Sequence, residues 1–503
     1  MRHARKPVLR RILRVVDELR VKRLVTDSRQ VKPGQTFLAF PGEVHDGRDY
    51  IAQALARGAA SVLWEQRGFT WNPRWRVPNF GITDLRRRAG DIASHVYGNP
   101  SARLWMVGVT GTNGKTSCSQ WIAQSLTRVG RKSAVIGTLG SGFPGALESG
   151  VNTTPDAVWL HARLAALERS GARAVSMEAS SHGLAQHRLA GVELDVALLT
   201  NVTRDHLDYH GTMRHYRSAK AKLFAWPLLK WAVLNLDDRF GRELVAHTRR
   251  PGLNVVGYGF ERRPAAAGRA CVARVEGRNL RTGLDGVWFD VASPWGSATV
   301  RSPMVGHFNA ANLLGSLATL LASDVKLDAS VAALARVAPV PGRTERYGGG
   351  NRPLVVVDYA HTPDALDKVL STLRELVSPH ASRYIHRKPR LICVFGCGGE
   401  RDRGKRPLMG RIASRLADHV IVTSDNPRGE NPLAIISDII DGTTGEYLVV
   451  PDRAQAIREA VALARRGDVV LVAGKGHERY QEIRGVRHRF NDGAVVRATL
   501  GQA

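Results

Sequence analysis

Long apolar runs are missing from this sequence. No stretch approaches the roughly 20 residues that a membrane-crossing helix needs, and no basic-then-apolar leader ending in small residues opens it. A cytoplasmic protein with no membrane span is therefore expected. Cysteine is nearly as scarce, with only Cys118, Cys271, Cys393 and Cys397 in 503 residues. None forms a CxxC pair, so buried reduced thiols are expected rather than a disulfide framework or a zinc site. Acidic residues are too few to balance the basic ones, 45 against 73, giving a net charge of +28. Such a charge brings weak, salt-sensitive attraction to polyanions. Yet arginine is scattered along the whole length, with no basic stripe, interleaved aromatics or reading helix, so specific nucleic-acid binding is not expected. A phosphate-rich small substrate accounts for the charge more simply. The densest basic run, 1–20, carries Val8, Leu9, Ile12, Leu13, Val15, Val16 and Leu19 at helical spacing. It reads as a first helix packed on its own domain, with docking on an anionic membrane surface as the alternative.

What is present is the composition of a soluble globular chain, 43% apolar and 23% charged. Its length suggests about three domains of ordinary size. The most informative stretch is WMVGVTGTNGKTS, 105–117. An apolar run from Trp105 to Val109 feeds a loop of Gly111, Thr112, Asn113, Gly114, Lys115, Thr116 and Ser117, and a helix follows to about Leu126. Glycines let successive backbone N–H groups converge on one anion, the helix start adds its positive dipole end, and the lysine ammonium reaches terminal phosphates. Thr116 can offer its hydroxyl to a magnesium ion.

In chain order, residues 1–100 hold short strands and one helix, Tyr50 to about Arg57. Thr26, Asp27, Ser28 and Arg29 sit in a polar turn, and 98–100 form a linker. Residues 101–340 alternate strand and helix, with strands at 134–136, 174–177, 196–199 and 231–234, as in a mostly parallel sheet covered on both faces. Polar groups gather after these strands, where such sheets bind ligands. Asn152, Thr153, Thr154 and Pro155 read as a capped helix start. Glu178, Ser180, Ser181 and His182 follow one strand, and Asn201, Asp205, His206 and Asp208 follow another. Glu178 suits magnesium, while His206 reads equally as a core histidine, and Lys220, on a helix with Leu223 and Phe224, as an ordinary solvated lysine. Residues 341–503 start the alternation afresh, with strands at 353–358, 391–395, 419–423 and 468–473 and helices after Thr362, Gly404, Asn431 and Asp452. Their strand-end loops, rich in arginine, glycine and carboxylate, describe a site for a small zwitterion or polyanion.

The motifs TGTNGKTS, NTTPD, MEASSHGLAQHR, NVTRDHLDYHG, YRSAKAKLF, NLDD, GHFNAANLL, PGRTER, VDYAHTPDAL, FGCGGERDRGKRP, SDNPRGENP and GKGHERYQ follow one another over essentially the whole chain. As an ordered set they resemble the Mur ligase family. The resemblance implies three α/β domains: a uridine-nucleotide domain over 1–100, a central P-loop ATPase-type domain over 101–340, and a Rossmann-like amino-acid domain over 341–503. It implies that ATP meets Gly111 to Ser117 together with Asn309, Arg343, Asp358 and His361. Lys115, Glu178, His206 and Lys220 match catalytic positions. Thr116, Glu178, His206 and Lys220 match the metal site, for two Mg²⁺ ions, with Lys220 as a CO₂-derived carbamate. Carbamylation makes physical sense, since it turns an ammonium that repels Mg²⁺ into an anionic oxygen ligand.

For UDP-N-acetylmuramoyl-L-alanyl-D-glutamate the matching positions are Thr26, Ser28, Asn152, Thr153, Thr154, Ser180, Gln186 and Arg188; the segment 43–45 follows the family less closely. For meso-diaminopimelate they are Arg401, Asp425, Asn426, Pro427, Arg428, Gly474 and Glu478. Diaminopimelate differs from lysine by a distal carboxylate, which an arginine fork grips in two parallel bonds. The implied reaction passes through an acyl phosphate that the diaminopimelate amine attacks, which needs no nucleophilic side chain. A monomer is expected, with hinges near 99–101 and 341–343 closing the domains over the intermediate. Two alternatives stay open: a same-fold ligase that adds lysine or extends a folylpolyglutamate chain, and a basic nucleic-acid-stimulated ATPase.

Overall fold

The computed structural model describes residues 5–43, 45–150, 152–248, 250–260, 273–283, 285–377 and 388–501. Near the amino terminus the strands Leu24–Val25, Thr36–Ala39, Ser61–Glu65 and Asn79–Ile82 lie side by side in that order, all parallel. Alternate residues of a strand point to opposite faces, and the burial follows that rule. Leu38 and Leu63 pack under the helices Arg5–Glu18 and Leu85–Val96, whereas Phe37, Val62 and Trp64 pack under Ile51–Ala56 and the aromatic loop of Phe69, Trp71 and Trp75. Ile12 and Val16, one turn apart, are buried against that first face. The basic helix is therefore seated on its own domain, with Arg10, Arg11 and Arg14 outward.

Among the described residues the central sheet has eleven strands. Its parallel part runs Ala273–Gly283, Asn254–Gly259, Trp231–Asn235, Val196–Leu199, Trp105–Thr110, Ala174–Glu178, Ser133–Gly137. Val107 and Val109 face the helices Lys115–Arg128 and His307–Leu321, and Met106 faces Ala157–Arg169. Gly108 lies beneath Leu223, whose Cδ1 would stand 3.3 Å from an added Cβ. Strand–helix periodicity did not reveal the antiparallel strands at both ends: Gly140–Phe143 and Ala146–Glu148 at one, Gly286–Ser293 and Gly296–Ser302 at the other. They are short or glycine-framed and carry no crossover helix. One helix start is also corrected. Asn152 to Pro155 stay in a loop, and the helix begins at Ala157 with Asp156 as its cap, accepting from the N–H groups of Val158 and Trp159.

The carboxy-terminal sheet orders Glu345–Gly348, Leu354–Asp358, Val469–Ala473, Leu391–Phe395, His419–Val422 and Tyr447–Val449, parallel except at its first strand. Thr362, Asn431 and Asp452 cap the helices that follow them, each oxygen accepting from a first-turn N–H. A hairpin, Tyr480–Ile483 with Val486–Arg489, was not foreseen. Cys118, Cys393 and Cys397 are free and buried; Cys271 lies outside the described residues.

The two joints differ. At the first, a Cβ on Gly90 would come 2.1 Å from the Ala190 carbonyl oxygen, and one on Gly191 would come 2.5 Å from that of Gly90. The Glu193 N–H also donates to Ser101 Oγ at 3.0 Å. Backbone packs on backbone at this joint. The carboxy-terminal domain instead meets the central one through polar bridges: Arg204 to Asp402 at 2.9 and 3.0 Å, and Asn113 Nδ2 to Asp364 at 2.9 Å.

Candidate active site

The loop after Trp105–Thr110 is shaped by its neighbours. Gly111 has φ +153°, and a Cβ there would fall 1.8 Å from Thr200 Oγ1; Gly114 has φ +85° and lies against Asn312, whose Oδ1 would stand 2.4 Å from a Cβ. Only glycine fits either place. Asn201 holds the loop from below, its carbonyl accepting from Thr112 N–H at 2.8 Å and its Oδ1 from Asn113 N–H at 3.0 Å. Lys115 curls over the loop, donating to the carbonyls of Gly111 and Thr112 at 3.0 and 2.8 Å. Burial lowers its pKa, against the pull of Glu178 and Asp205. An ammonium spent on two carbonyls can exchange them for phosphate oxygens.

Thr116 Oγ1 donates to Glu178 Oε2 at 3.1 Å, and Arg343, arriving from the start of the third domain, donates to Thr116 Oγ1 at 3.2 Å. Glu178 is 1% exposed and also takes the Thr138 N–H at 2.8 Å. Lys220 is not a solvated lysine: it is 1% exposed, its Nζ donates to Gly111 O at 2.7 Å, and it lies 4.5 Å over the Tyr216 ring. Burial first, and Lys115 second, push its pKa well down, toward the neutral amine.

His206 has φ +53° and stands 3.3 Å from Asp205 Oδ2, with the ring of His182 4.7 Å away. Its pKa is held below the usual value, chiefly by burial. His361, from the third domain, stands 3.9 Å from the same Asp205 oxygen. Burial would raise Asp205, but His206, His361, Lys405 and Lys115 around it bring it below the ordinary carboxylate range. Among the described residues no three His, Cys, Asp or Glu side chains form a metal cage by themselves. Thr116 and Glu178 fit magnesium, which takes one or two carboxylates and fills its shell with waters and substrate phosphates.

The other expected nucleotide positions divide. Arg343 reaches the loop and stacks 4.4 Å over Tyr359, and Asp358 holds the adjoining turn by accepting the Thr344 N–H at 2.7 Å. Asn309 is buried and spends its amide on the Val305 carbonyl at 2.9 Å; Asn312, one turn on, is the asparagine against the loop.

Of the dipeptide positions, Thr153, Thr154, Ser180, Gln186 and Arg188 come together. Arg188 donates to Gln186 Oε1 at 2.9 Å and to the Thr154 carbonyl at 2.7 Å, while Thr154 Oγ1 accepts the Ser180 N–H at 3.0 Å. Thr153 Oγ1 is 3.0 Å from Thr138 Oγ1. Tyr209, which sequence reasoning missed, accepts from Gln186 at 3.1 Å. Asn152 is exposed. Thr26 and Ser28 stand apart in the first domain, where Ser28 Oγ donates to Gln53 Oε1 at 2.6 Å; Glu43 pairs with Arg86, and both act electrostatically on Arg188.

The expected amino-acid positions come together. Gly398 is approached by both arginines: a Cβ there would be 2.9 Å from an Arg428 terminal nitrogen and 3.8 Å from Arg401 Cγ. Arg428, at φ +52°, is clamped by the unforeseen hairpin, its N–H on Glu482 O at 3.0 Å and its carbonyl on Arg484 N–H at 2.7 Å. Asn426 Nδ2 donates to Glu478 Oε2 at 2.9 Å, and Gly474, at φ +117°, leaves room for Asp425 Oδ2. Tyr209, Asn312 and Lys475 are site-lining residues that sequence reasoning did not single out. All three sit inside recognised motifs.

Three family descriptions match the chain: Mur ligase family, catalytic domain, over 20–97; Mur ligase middle domain over 109–320; and Mur ligase, glutamate ligase domain, over 342–476. With the phosphate loop and the site above, this chain belongs to the Mur ligase family. Within it, the UDP-N-acetylmuramoyl-L-alanyl-D-glutamate--2,6-diaminopimelate ligase of Nitrosomonas europaea is 53% identical, over 96% of this chain and 94% of its own. The ligase of the same name from Chromobacterium violaceum is 51% identical over the same shares. A solved structure of a UDP-N-acetylmuramoyl-L-alanyl-D-glutamate--2,6-diaminopimelate ligase superposes with a TM-score of 0.66 at 38% identity, covering 96% of this chain and 95% of that one. No helix among the described residues is long and apolar enough to cross a membrane.

Proposed function

We propose that this chain joins meso-diaminopimelate to the γ-carboxylate of D-glutamate in UDP-N-acetylmuramoyl-L-alanyl-D-glutamate at the expense of ATP, in cytoplasmic synthesis of peptidoglycan precursor, acting as a monomer. The labour divides among residues 1–100 for the uridine nucleotide, 101–340 for ATP and 341–503 for the amino acid. The observation that carries the reading is the meeting of the third domain with the phosphate loop: Arg343 donates to Thr116 Oγ1 at 3.2 Å, Thr116 donates to Glu178 at 3.1 Å, and Asn113 donates to Asp364 at 2.9 Å.

Lys115 leaves the carbonyls of Gly111 and Thr112 for the phosphates and offsets charge on the transferring group. Thr116, Glu178 and His206, with Lys220 as a carbamate, would hold magnesium, which would supply positive charge offsetting the repulsion between the carboxylate and the γ-phosphate. Arg343 shifts from Thr116 to the nucleotide. Arg188, anchored on Gln186 and the Thr154 carbonyl, orients the dipeptide so that its free carboxylate faces the loop. Arg401 and Arg428 take the distal carboxylate of diaminopimelate, and Asp425 and Glu478 take the ammonium beside it. The amine at the other end is then directed at the acyl phosphate. Closure of the polar second joint excludes water from that intermediate.

Phosphate release from Mg²⁺-ATP and the UDP-muramoyl dipeptide tests the reading, with meso-diaminopimelate and L-lysine compared as acceptors. Release with diaminopimelate alone is expected. Release with both acceptors keeps the ligase and removes the role of Arg428, and release with neither overturns the function.

A further inference from the structure

Beneath the arginine pocket lies a lysine with no part in the reaction as derived above. Lys475 is 0% exposed, and its Nζ donates to Asn426 Oδ1 and to Glu478 Oε2, each at 2.8 Å. The Glu482 N–H donates to the same Asn426 oxygen at 2.9 Å. An ammonium and a peptide N–H are donors only, so the Asn426 carbonyl must face them and its NH₂ must face Glu478. That NH₂ does reach Glu478 Oε2, at 2.9 Å. One carboxylate oxygen thus receives two donors from the protein, and Glu478 Oε1 has no hydrogen-bond partner among the described residues.

Resting on the proposed function, we infer that Lys475 is the positioning residue of the amino-acid pocket: it locks the Asn426 amide and saturates Glu478 Oε2, so that Oε1 is presented to the substrate ammonium. It also compensates the charge of Glu478 and of neighbouring Asp425, whose uncompensated pair would be costly beside the apolar strands Leu391–Phe395 and Val469–Ala473. A zwitterionic head needs both signs held apart, arginines for its carboxylate and a fixed oxygen for its ammonium. Lys475 keeps the second from collapsing onto the first. The selectivity for an amino acid carrying a second zwitterionic end therefore rests on a buried cation that does not touch it.

Steady-state kinetics of the full chain tests this with Lys475→Met, Lys475→Gln and Lys475→Arg. Lys475→Met is expected to raise KM for diaminopimelate by about tenfold or more, the scale of one lost charge-assisted contact. KM for ATP and for the UDP dipeptide should stay within about twofold, and kcat at saturating diaminopimelate within about threefold. Lys475→Arg, which keeps donors and charge, should lose less. If Lys475→Met fails to bind an ATP analogue and so is not folded, Lys475→Gln, whose amide keeps one donor toward Asn426, carries the same expectation. Three KM values rising together, or kcat falling with KM for diaminopimelate unchanged, would mean a structural lysine and overturn the inference. Wild-type chain inactive with diaminopimelate would instead overturn the function on which it rests.

Discussion

Arg453 and Asp492 form a two-pronged ion pair with neither side chain exposed: Nε to Oδ1 and the guanidinium NH₂ to Oδ2, both at 2.8 Å. The same guanidinium donates to the Ala473 carbonyl at 2.9 Å and approaches the Ser424 carbonyl at 3.5 Å. Those residues immediately precede Gly474 and Asp425, so one arginine ties the carboxy-terminal helix Asp492–Thr499 to the two segments proposed to bind the amino acid. Removing one partner of a buried pair strands the other charge and costs about 3–5 kcal/mol. Asp492→Ala should therefore lower the stability of the third domain by that order in urea denaturation. Replacing both partners by apolar residues should recover part of the stability while KM for diaminopimelate stays raised, because two loop carbonyls have lost their donor. Recovery of both together would reduce the pair to packing.

His161 underlies the first joint. Fully buried, it accepts or donates only at Nε2, 2.9 Å from the Ala190 carbonyl, and burial lowers its pKa to about 4 despite that bond. A histidine in the unfolded chain titrates near its ordinary 6.5, so between those values the unfolded state binds more protons. Stability then falls as pH drops from 6.5 toward 4, by about 3 kcal/mol at most for this group. His161→Gln should flatten the corresponding slope in denaturation midpoints measured between pH 7 and 4. An unchanged slope would assign the acid sensitivity elsewhere.

Gly90 is expected to be intolerant for a different reason. A methyl group there meets the Ala190 carbonyl oxygen at 2.1 Å, a backbone atom that cannot rotate away. Overpacking of this kind costs about 1–3 kcal/mol. Gly90→Ala should lower the melting temperature and make the first domain more susceptible to proteolysis near residue 99, while Gly34→Ala, with nothing within 4 Å, meets no such contact and carries only its positive φ.

Much of this arrangement was legible in the sequence because local chemistry and tertiary structure agree. Thr362, Asn431 and Asp452 precede helices as caps should, and the buried strands are continuous apolar runs. The flanking antiparallel strands escaped because those in 140–148 are short and those in 286–302, though long enough, are joined by tight turns with no alternating helix to mark them. At Asn152–Pro155 no cap forms: Thr154 Oγ1 is spent on the Glu178 carbonyl at 2.7 Å, and Asp156 takes the first-turn N–H groups instead. Lys220 and Lys475 are the sharper cases. A lone lysine in a sequence reads as solvated, and only the fold reveals that each ammonium is enclosed.

Lys220 also yields a prediction about chemistry. Its amine donates to Gly111 O, the residue that opens the phosphate loop, and Lys115 and Asp205 act electrostatically on it. Lys220→Arg preserves the charge but cannot form a carbamate, and kcat should fall by about 10²-fold or more, the scale of a lost charge-stabilising group. With ¹³C-bicarbonate the wild-type chain should give a carbamate carbon resonance that the variant lacks. A variant that loses the resonance but keeps its rate would leave the modification without a role.

The choice of amino acid is expected to rest on Arg428. The hairpin fixes its backbone, and its terminal nitrogen donates to Gly399 O at 2.7 Å, which leaves the rest of the guanidinium for a second acceptor. A carboxylate can satisfy two parallel N–H groups at once, whereas lysine, lacking that group, leaves them unpaired. Sites built on such a contact reject the analogue without it by about 10⁴–10⁵. Arg428→Ala should therefore raise KM for diaminopimelate by about 10² or more, as expected for a truncated charge pair worth 2–5 kcal/mol, with little change in KM for ATP. The ratio of kcat/KM for diaminopimelate over lysine should collapse in the same variant. If the ratio survives while both acceptors weaken equally, Arg428 shapes the loop, and the discriminating contact belongs to Arg401.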